Sequence, residues 1–393
     1  MITEKNVERF RRETLGTNNV LHFNNAGSSL PPDCVHNAVT NHLERERQIG
    51  GYEASDEASA SINSFYDETA QLIGANVNEI AFIENATRAW DMAFYALPFA
   101  EGDEIITVAS EYASNYLAYL QIAKRKGTVI KVADNDSNGQ ADVESIRNLI
   151  TSRTKLISVT HVPSTGGLIN PAEAIGKIAK EHGILYLLDA CQSVGQLPVD
   201  VKAIGCDMLS ATGRKFLRGP RGTGFLYVKE ELANALEPAL IDLHAATWTS
   251  DNTYTIINGA KRFENWESYY AGKIGLAEAI RYARGIGLAN IASRNKILAQ
   301  NLRTNLQAIK GVNVTDLGVD KSAIVTFEKP GIDPEHIKTQ LRHQQINVSV
   351  SPATYARLDL GARGLVSVVR ASIHYYNTED EIAQFVAAIK AII

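Results

Sequence analysis

Short apolar runs alternate with amphipathic stretches along the chain from about residue 75. The runs are rich in Ile, Val and Leu, which is typical of buried strands, and the stretches between them have the spacing of helices. The six runs cover residues 79–83, 104–108, 155–159, 184–188, 207–210 and 223–228. Near-continuous apolar strands separated by helices predict a mostly parallel sheet covered on both faces. Functional groups are then expected at the carboxyl ends of the strands.

The pattern changes after about residue 275. A long helix is predicted over residues 288–309 and a closing helix over residues 379–392, with four strands between them at 312–315, 323–327, 346–350 and 366–370. This order of elements predicts a smaller α+β domain.

The length of the chain also favours more than one domain, because 393 residues exceed what one hydrophobic core usually serves. We expect an N-terminal arm of residues 1–20, whose helix over residues 3–14 joins the small domain. The large α/β domain is expected over residues 21–275 and the small domain over residues 276–393.

Two connections predict the start of a helix. Asn85 and the two residues after it follow a strand and open a helical stretch, where free backbone N–H groups favour a bound anion. Asn170 is predicted to cap a second helix, with Pro171 at its first position.

Composition narrows the classes of partner. With 45% apolar residues, 21% charged residues and a net charge of -5, the chain has no electrostatic reason to bind nucleic acid or an anionic membrane. The first residues lack the apolar core of a signal peptide, and no apolar run approaches membrane-spanning length. Cys34, Cys191 and Cys206 have no CxxC spacing, which favours a reducing cytoplasm and gives no reason to expect a structural metal.

Lys215 and Asp189 are the strongest candidates for chemistry. Lys215 follows a buried-type strand in a stretch of small and basic residues, and Asp189 ends another apolar strand. Desolvation or the neighbouring cation Arg214 would lower the pKa of the lysine and favour imine formation, while a carboxylate would keep a ring nitrogen charged. The alternative interpretations are that Lys215 belongs to a solvated basic loop and that Asp189 caps a helix. Together the two residues favour pyridoxal phosphate, with Thr87, Thr212 and Arg214 as phosphate donors.

The segments 160–171, 189–192 and 212–215 resemble the class V aminotransferase family of pyridoxal phosphate enzymes. This family includes cysteine desulfurases, cysteine C–S lyases and isopenicillin N epimerase-like proteins, and the resemblance runs from residues 23–27 to residues 369–372. It implies a pyridoxal phosphate-dependent transferase-like fold, whose large domain has a mostly parallel, seven-stranded mixed sheet beside a smaller α+β domain.

The resemblance also implies roles for individual residues. Lys215 would bind the cofactor as an imine and move the substrate α-proton, and Asp189 would bind the ring nitrogen. Tyr112 would stack on the cofactor where desulfurases have a histidine. The other cofactor contacts implied are Gln192 and Ser164 near the ring hydroxyl, and Ala86, Thr87, Thr212 and Arg214 at the phosphate.

Substrate contacts are implied in the same way. Arg370 matches the arginine that binds the substrate α-carboxylate, although it could also be an arginine of a surface ion pair. Asn25 is a further substrate-binding candidate. The family is usually a homodimer, so Tyr52 and the segment 263–268 are expected to reach the neighbouring subunit's site, unless Tyr52 and Trp266 only pack. Tyr355 is a further candidate for the side-chain pocket.

Two departures from the desulfurase pattern narrow the expected reaction. A desulfurase needs a thiolate on a small-domain loop, yet the corresponding residues 351–361 contain no cysteine. Tyr112 in place of histidine removes an imidazole that could shuttle protons. We therefore expect β-elimination from a cysteine derivative by a C–S lyase. The alternatives are an epimerase or racemase, an aminotransferase, a desulfurase, and a non-catalytic protein with this fold.

Overall fold

The chain forms fifteen strands and fourteen α-helices in the computed structural model, which describes residues 1–393. In chain order the strands are β1 (Leu21–His22), β2 (Ile80–Ile83), β3 (Glu104–Val108), β4 (Val129–Ala133), β5 (Thr154–Thr160), β6 (Leu185–Asp189), β7 (Met208–Thr212), β8 (Gly224–Val228), β9 (Ala246–Ser250), β10 (Thr253–Ile256), β11 (Asn313–Val314), β12 (Ile324–Glu328), β13 (Ile346–Asn347), β14 (Ser349–Pro352) and β15 (Ser367–Ser372). The helices are α1 (Glu4–Arg12), α2 (Asp33–Ile49), α3 (Gly51–Glu57), α4 (Ser59–Ile73), α5 (Ala86–Tyr95), α6 (Ala113–Lys126), α7 (Val143–Leu149), α8 (Ala172–His182), α9 (Val201–Ile204), α10 (Glu230–Ala235), α11 (Tyr270–Ile286), α12 (Leu288–Gln307), α13 (Pro334–His343) and α14 (Glu379–Ile392).

The large sheet has seven strands in the order β2-β8-β7-β6-β5-β3-β4. Only β8 runs antiparallel to its neighbours, so the prediction of a mostly parallel, mixed sheet is confirmed. All six predicted apolar runs are strands of this sheet. The sequence pattern missed β4, because it is an edge strand in which Val129 is 44% exposed and Lys131 interrupts the apolar run.

A second sheet of four antiparallel strands has the order β11-β12-β15-β14. Its core is built by apolar residues of α12, α13 and α14, and the predicted closing helix has the bounds of α14. The single strand expected over residues 346–350 is divided in two. Its first part, β13, pairs in parallel with β1 near the start of the chain, and its second part, β14, joins the four-stranded sheet.

The N-terminal helix packs against the last third of the chain. Phe10 of α1 lies edge-on to Tyr375 with the ring centroids 5.1 Å apart, and Arg11 Nη1 donates to Glu381 Oε1 at 2.7 Å. Phe23, directly after β1, stacks at 4.8 Å on Phe385 of α14. These contacts anchor residues from both ends of the chain in the same cores.

The carboxyl ends of β3, β5, β6 and β7 lie at one edge of the large sheet, because these strands are parallel. In the register of the sheet Thr160 lies beside Asp189, and Asp189 lies beside Ser210. Lys215 follows shortly after the end of β7. The sheet therefore brings together polar residues that are far apart in the sequence, as the parallel arrangement predicts.

The two expected helix starts differ in outcome. Asn85 caps α5 by accepting a hydrogen bond from the N–H of Arg88 at 2.9 Å, as predicted. The prediction for Asn170 is wrong, because α8 begins at Ala172 and Pro171 is the capping position. Asn170 is buried, and its amide instead donates to the carbonyl oxygen of Thr160 at 2.7 Å and accepts from the N–H of Ala141 at 3.0 Å. None of the helices has both the length and the apolar character needed to cross a membrane.

Candidate active site

A cavity of about 260 Å³ lies at the carboxyl edge of the large sheet. Eight of the residues singled out from the sequence line it, namely Ala86, Thr87, Tyr112, Ser164, Asp189, Gln192, Arg214 and Lys215. Five further residues complete the wall, namely Asn85, Asn115, Thr160, Val162 and Cys191. Lys215, the candidate for covalent binding, and Asp189, the candidate for binding a ring nitrogen, therefore line the same cavity.

Lys215 brings an unpaired amine to this cavity. Its backbone is held in a turn in which the N–H of Arg218 donates to the Lys215 carbonyl oxygen at 2.9 Å. The lysine is buried, and no hydrogen bond or ion pair within the chain involves its amine. Burial lowers the pKa of Lys215, and the nearby cations Arg214 and Arg370 lower it further, against the opposing influence of Cys191 and Asp189. This environment favours the neutral, nucleophilic amine.

Asp189 is fixed at the end of β6 by two donors. Its Oδ1 accepts from the N–H of Cys191 at 2.9 Å, and its Oδ2 accepts from Asn115 Nδ2 at 3.1 Å. Neither donor carries a charge, so the negative charge of Asp189 has no cationic partner bonded to it. The carboxylate is therefore available to a cationic or protonated group in the cavity.

Arg370 lies at the centre of β15 and reaches the same region. Its Nη1 donates to the carbonyl oxygen of Ser164 at 2.8 Å, and its Nη2 donates to Asn24 Oδ1 at 3.3 Å. The Nε atom is buried without a partner, and no carboxylate pairs with this guanidinium. Burial and the charge of Arg214 lower the pKa of Arg370 to about 10. A buried cation with an unsatisfied N–H is suited to bind an anion such as a carboxylate.

The first turn of α5 contributes Ala86 and Thr87 to the wall of the cavity. Helix N-termini present free N–H groups and the positive end of the helix dipole, which suits a phosphate. Arg214 lines the same cavity and donates through Nη1 to Thr212 Oγ1 at 3.1 Å. A buried amine, a fixed carboxylate and an anion-binding helix start in one cavity fit the functional groups of pyridoxal phosphate.

Known proteins with similar sequences identify the family. The model of the aminotransferase class-V family matches residues 21–385. The chain belongs to this family. The probable cysteine desulfurase of Pyrococcus abyssi is 30% identical over 393 residues, covering 98% of this chain and 97% of the relative. That of Methanothermobacter thermautotrophicus is 30% identical over 337 residues, covering 85% and 84%.

A solved structure gives the same result for the fold. The apo structure of the cysteine desulfurase from Thermococcus onnurineus superposes with a TM-score of 0.92 at 29% identity, over 98% of both chains. The resemblance inferred from the sequence is thereby confirmed, together with the assignment to a class-V family of enzymes that use pyridoxal phosphate.

Four of the residues expected from the sequence to contact cofactor or substrate do not line the cavity of this class-V enzyme, namely Arg370, Asn25, Thr212 and Tyr52. Asn25 is fully buried, its Nδ2 donating to the Ser372 carbonyl oxygen at 2.9 Å and its Oδ1 accepting from the Tyr376 hydroxyl at 2.6 Å. The neighbouring Asn24 contacts Arg370 instead. Thr212 contacts the cavity only through Arg214.

Tyr52 is the last of these four residues. It is 69% exposed and lies in a separate surface depression with Glu46, Glu267 and Tyr269. Trp266, in the segment expected to reach a neighbouring subunit, is 56% exposed. Within one chain, neither Tyr52 nor Trp266 lines the active-site cavity.

Cys191 is the only cysteine that lines the cavity of the class-V enzyme. Burial raises the pKa of Cys191 to about 12, so its thiol stays protonated near neutral pH. All three cysteines are free thiols, and burial also raises the pKa of Cys34 to about 11. The cavity therefore contains no reactive thiolate.

The sequence motifs did not distinguish every wall residue. Thr160 stands inside a segment already singled out, and Asn115 lies three positions after Tyr112. The cavity role of Thr160 depends on the register of β5 and β6, and that of Asn115 depends on the placement of α6, neither of which local sequence gives. Gln192 donates through Nε2 to the Ala26 carbonyl oxygen at 3.1 Å, and its Oε1 is buried without a partner. This free acceptor is suited to a hydroxyl group of a bound molecule.

Proposed function

We propose that this class-V enzyme binds pyridoxal phosphate and breaks the C–S bond of a cysteine derivative by β-elimination. The supporting observation is that the unpaired amine of Lys215 and the carboxylate of Asp189 line one cavity. The unsatisfied Nε of Arg370 supplies the third element, since an amino-acid substrate brings a carboxylate.

The wall residues have distinct roles in holding the cofactor. The Lys215 amine would bind the aldehyde carbon, and Asp189 would accept a hydrogen bond from the ring nitrogen. Gln192 and Ser164 would bind the ring hydroxyl, and Tyr112 would pack on the ring. The first turn of α5, with Ala86 and Thr87, binds the phosphate together with Arg214, whose guanidinium Thr212 orients. When bound, pyridoxal phosphate supplies an aldehyde for the substrate amine and a ring that accepts the electron pair left at Cα.

The chain's own residues then direct the reaction. Arg370 holds the substrate carboxylate through a charged, paired hydrogen bond and so fixes the orientation of the Cα–H bond. Lys215, once its amine is free, would take the proton from Cα. Its lowered pKa makes the neutral form of the amine accessible as the base. Departure of sulfur from Cβ leaves an enamine that water converts to pyruvate and ammonia.

Elimination is favoured over sulfur transfer because no thiolate is available to take the sulfur. The thiol of Cys191 is held protonated, and residues 351–361 carry no cysteine. Sulfur then leaves with the departing thiol. Cysteine desulfuration is the second candidate, since the relatives from Pyrococcus abyssi and Methanothermobacter thermautotrophicus carry that name.

The products distinguish these reactions. The purified protein with pyridoxal phosphate is incubated with cysteine, cystine, cysteine S-conjugates and their sulfoxides. We expect pyruvate and ammonia in equal amounts from at least one of them, and the same products from Cys191→Ser. Alanine with protein-bound persulfide would indicate desulfuration, a D-amino acid would indicate epimerisation, and pyridoxamine phosphate would indicate transamination. Absence of pyruvate throughout would refute the lyase.

We further propose that the enzyme is a cytoplasmic homodimer and that the three sequence ranges 1–20, 21–275 and 276–393 are its arm and domains. Large apolar side chains are exposed on one chain around the segment 240–269, notably Leu243, Trp248 and Trp266. Such exposure is typical of surfaces that pack against another molecule. The molar mass, measured by light scattering as the protein elutes from a size-exclusion column, tests the dimer. A Trp266→Glu variant should elute as a monomer.

A further inference from the structure

Behind Asp189 lies a second carboxyl group that none of the roles above uses. Glu111 precedes α6 by two positions and is only 6% exposed, yet it does not line the active-site cavity. One nitrogen atom of Asn115 forms a hydrogen bond with each of the two carboxyl groups. Asn115 Nδ2 donates to Glu111 Oε1 at 2.9 Å and to Asp189 Oδ2 at 3.1 Å. Both hydrogens of this amide are thus used, one for each acid.

The surroundings of Glu111 consist of hydrogen-bond donors. Its Oε1 also accepts from the N–H of Tyr112 at 2.8 Å and from the hydroxyl of Thr160. The hydroxyls of Thr107 and Tyr119 donate to its Oε2 at 2.9 and 3.1 Å. Two of these five donors are N–H groups, which cannot accept a hydrogen bond in return. The site is built around an acceptor and contains no cation bonded to it.

The pKa of Glu111 is raised overall. Burial raises it, the hydrogen bond from Thr160 lowers it, and the negative charge of Asp189 raises it again. Two buried carboxylates linked through one neutral amide are stabilised when a positive charge lies beside them. The proton of a pyridinium nitrogen at Asp189 would supply that charge.

We propose that Glu111 is a positioning residue that acts through Asn115 on Asp189. It directs the Asp189 carboxylate into the cavity and adds a second negative charge behind it, so that the nitrogen of a bound pyridine ring stays protonated. This inference rests on the proposed function, because it requires that Asp189 meets the ring nitrogen. It adds Glu111 and Asn115 to the groups that keep the ring nitrogen protonated and so make the ring a better electron acceptor.

Three variants test this role. Glu111→Gln keeps the shape and the carbonyl acceptor for the two N–H donors, while its amide meets hydroxyls that can accept, so only the charge is lost. Asn115→Ala removes the link and leaves both acids. Glu104→Gln is the matched control, since Glu104 is an equally buried glutamate at the opposite end of β3, bonded to Thr151, Thr154 and Lys131.

The measurement is the ¹⁵N chemical shift of the ring nitrogen in protein reconstituted with ¹⁵N-labelled pyridoxal phosphate, recorded against pH. Loss of a nearby negative charge should lower the midpoint of ring-nitrogen deprotonation by about one to two pH units in Glu111→Gln. Asn115→Ala should lower it too, and Glu104→Gln should match wild type. For a cysteine derivative, kcat of Glu111→Gln should fall about tenfold with KM unchanged, because Arg370 is untouched.

The possible outcomes separate this inference from the proposed function. A Glu111→Gln midpoint equal to that of wild type overturns the role of Glu111, and an unchanged Asn115→Ala overturns the path through the amide. Should Glu111→Gln fail to fold, as judged by circular dichroism, Asn115→Ala alone decides. A wild-type protein in which the label shows no bound, protonated ring refutes the proposed function itself. If wild type shows a bound, protonated ring and neither variant shifts the midpoint of ring-nitrogen deprotonation, only the role of Glu111 and Asn115 is refuted.

Discussion

Arg370 Nη1 donates to the carbonyl oxygen of Ser164 at 2.8 Å, and this hydrogen bond joins the four-stranded sheet to the loop after β5 of the large sheet. The guanidinium is therefore fixed beside Ser164, which is part of the cavity wall. Its position is set before any substrate arrives, and its unsatisfied Nε remains available.

Replacing Arg370 should impair substrate binding more than chemistry. We expect Arg370→Ala to lower kcat/KM by about 10²–10³, mostly through KM, because a charged, buried hydrogen-bonded pair is lost. Steady-state kinetics with the best cysteine derivative measure the effect. Arg342→Ala, an exposed arginine of α13, is the control and should behave as wild type. Unchanged KM and kcat in Arg370→Ala would refute the assigned orientation of the substrate.

Two adjacent asparagines should give opposite results. Asn24 contacts Arg370, so Asn24→Ala should raise KM several-fold and leave the free energy of unfolding nearly unchanged. Asn25→Ala should lower the free energy of unfolding by about 2 kcal/mol, since it leaves the Ser372 carbonyl oxygen and the Tyr376 hydroxyl without their partner. Urea denaturation and kinetics on both variants decide. A large KM change in Asn25→Ala at normal stability would restore the substrate role expected from the sequence.

Arg218 should contribute more to stability than its position in a basic loop suggests. It is 1% exposed, donates to the Leu30 carbonyl oxygen and to the Thr14 and Tyr375 hydroxyls, and lies 4.5 Å from the ring centroid of Tyr376. Arg218→Met should therefore lower the free energy of unfolding by about 3 kcal/mol.

The exposed neighbour Arg221 provides the control for this prediction. Arg221→Met should change the free energy of unfolding by no more than about 0.5 kcal/mol in the same denaturation experiment. Equal stabilities of the two variants would show that the buried contacts of Arg218 contribute little to the free energy of unfolding.

Acid should destabilise the protein through buried neutral histidines. Burial lowers the pKa of His22 and of His161 to about 4, from an ordinary value of 6.5. The unfolded chain binds these protons below pH 6.5 while the folded chain does not until about pH 4. The free energy of unfolding should therefore fall as the pH drops through this interval, by up to about 3 kcal/mol per histidine.

His22→Gln tests the histidine contribution directly. Between pH 6.5 and 4 the slope of its free energy of unfolding against pH should be smaller than that of wild type. The difference in slope should correspond to the uptake of up to one proton on unfolding. Replacing the exposed His336 by Gln should leave the dependence unchanged. Parallel curves for wild type and His22→Gln would contradict the assignment of a neutral His22.

The sequence predicted those features that depend on local pattern. Apolar runs identified the six central strands, and the closing helix was predicted with the bounds of α14. Lys215 and Asp189 were found because Lys215 follows a buried strand and Asp189 ends another, and parallel strands end at one edge of a sheet. The edge strand β4 was missed because a half-exposed strand lacks a continuous apolar run.

Local patterns did not predict contacts between residues that are far apart in the sequence. Asn170 has the pattern of a cap, yet its amide is taken by Thr160 and Ala141. The choice between Asn24 and Asn25 depends on how β15 lies beside residue 24. The bridge from Glu111 through Asn115 to Asp189 depends on the placement of α6 against β6. Local sequence contains no signal for these contacts, since they arise from packing across the sheet.

The pairing of β1 with β13 has a consequence for how the protein is made. His22 accepts through Nδ1 from Asn347 Nδ2 at 3.2 Å, and these residues are 325 positions apart. A ribosome releases the first strand long before its partner exists, so the amino-terminal segment has to wait, unpaired, until translation is nearly complete. Nascent chains stalled before the last fifty or so codons should leave this segment open to protease.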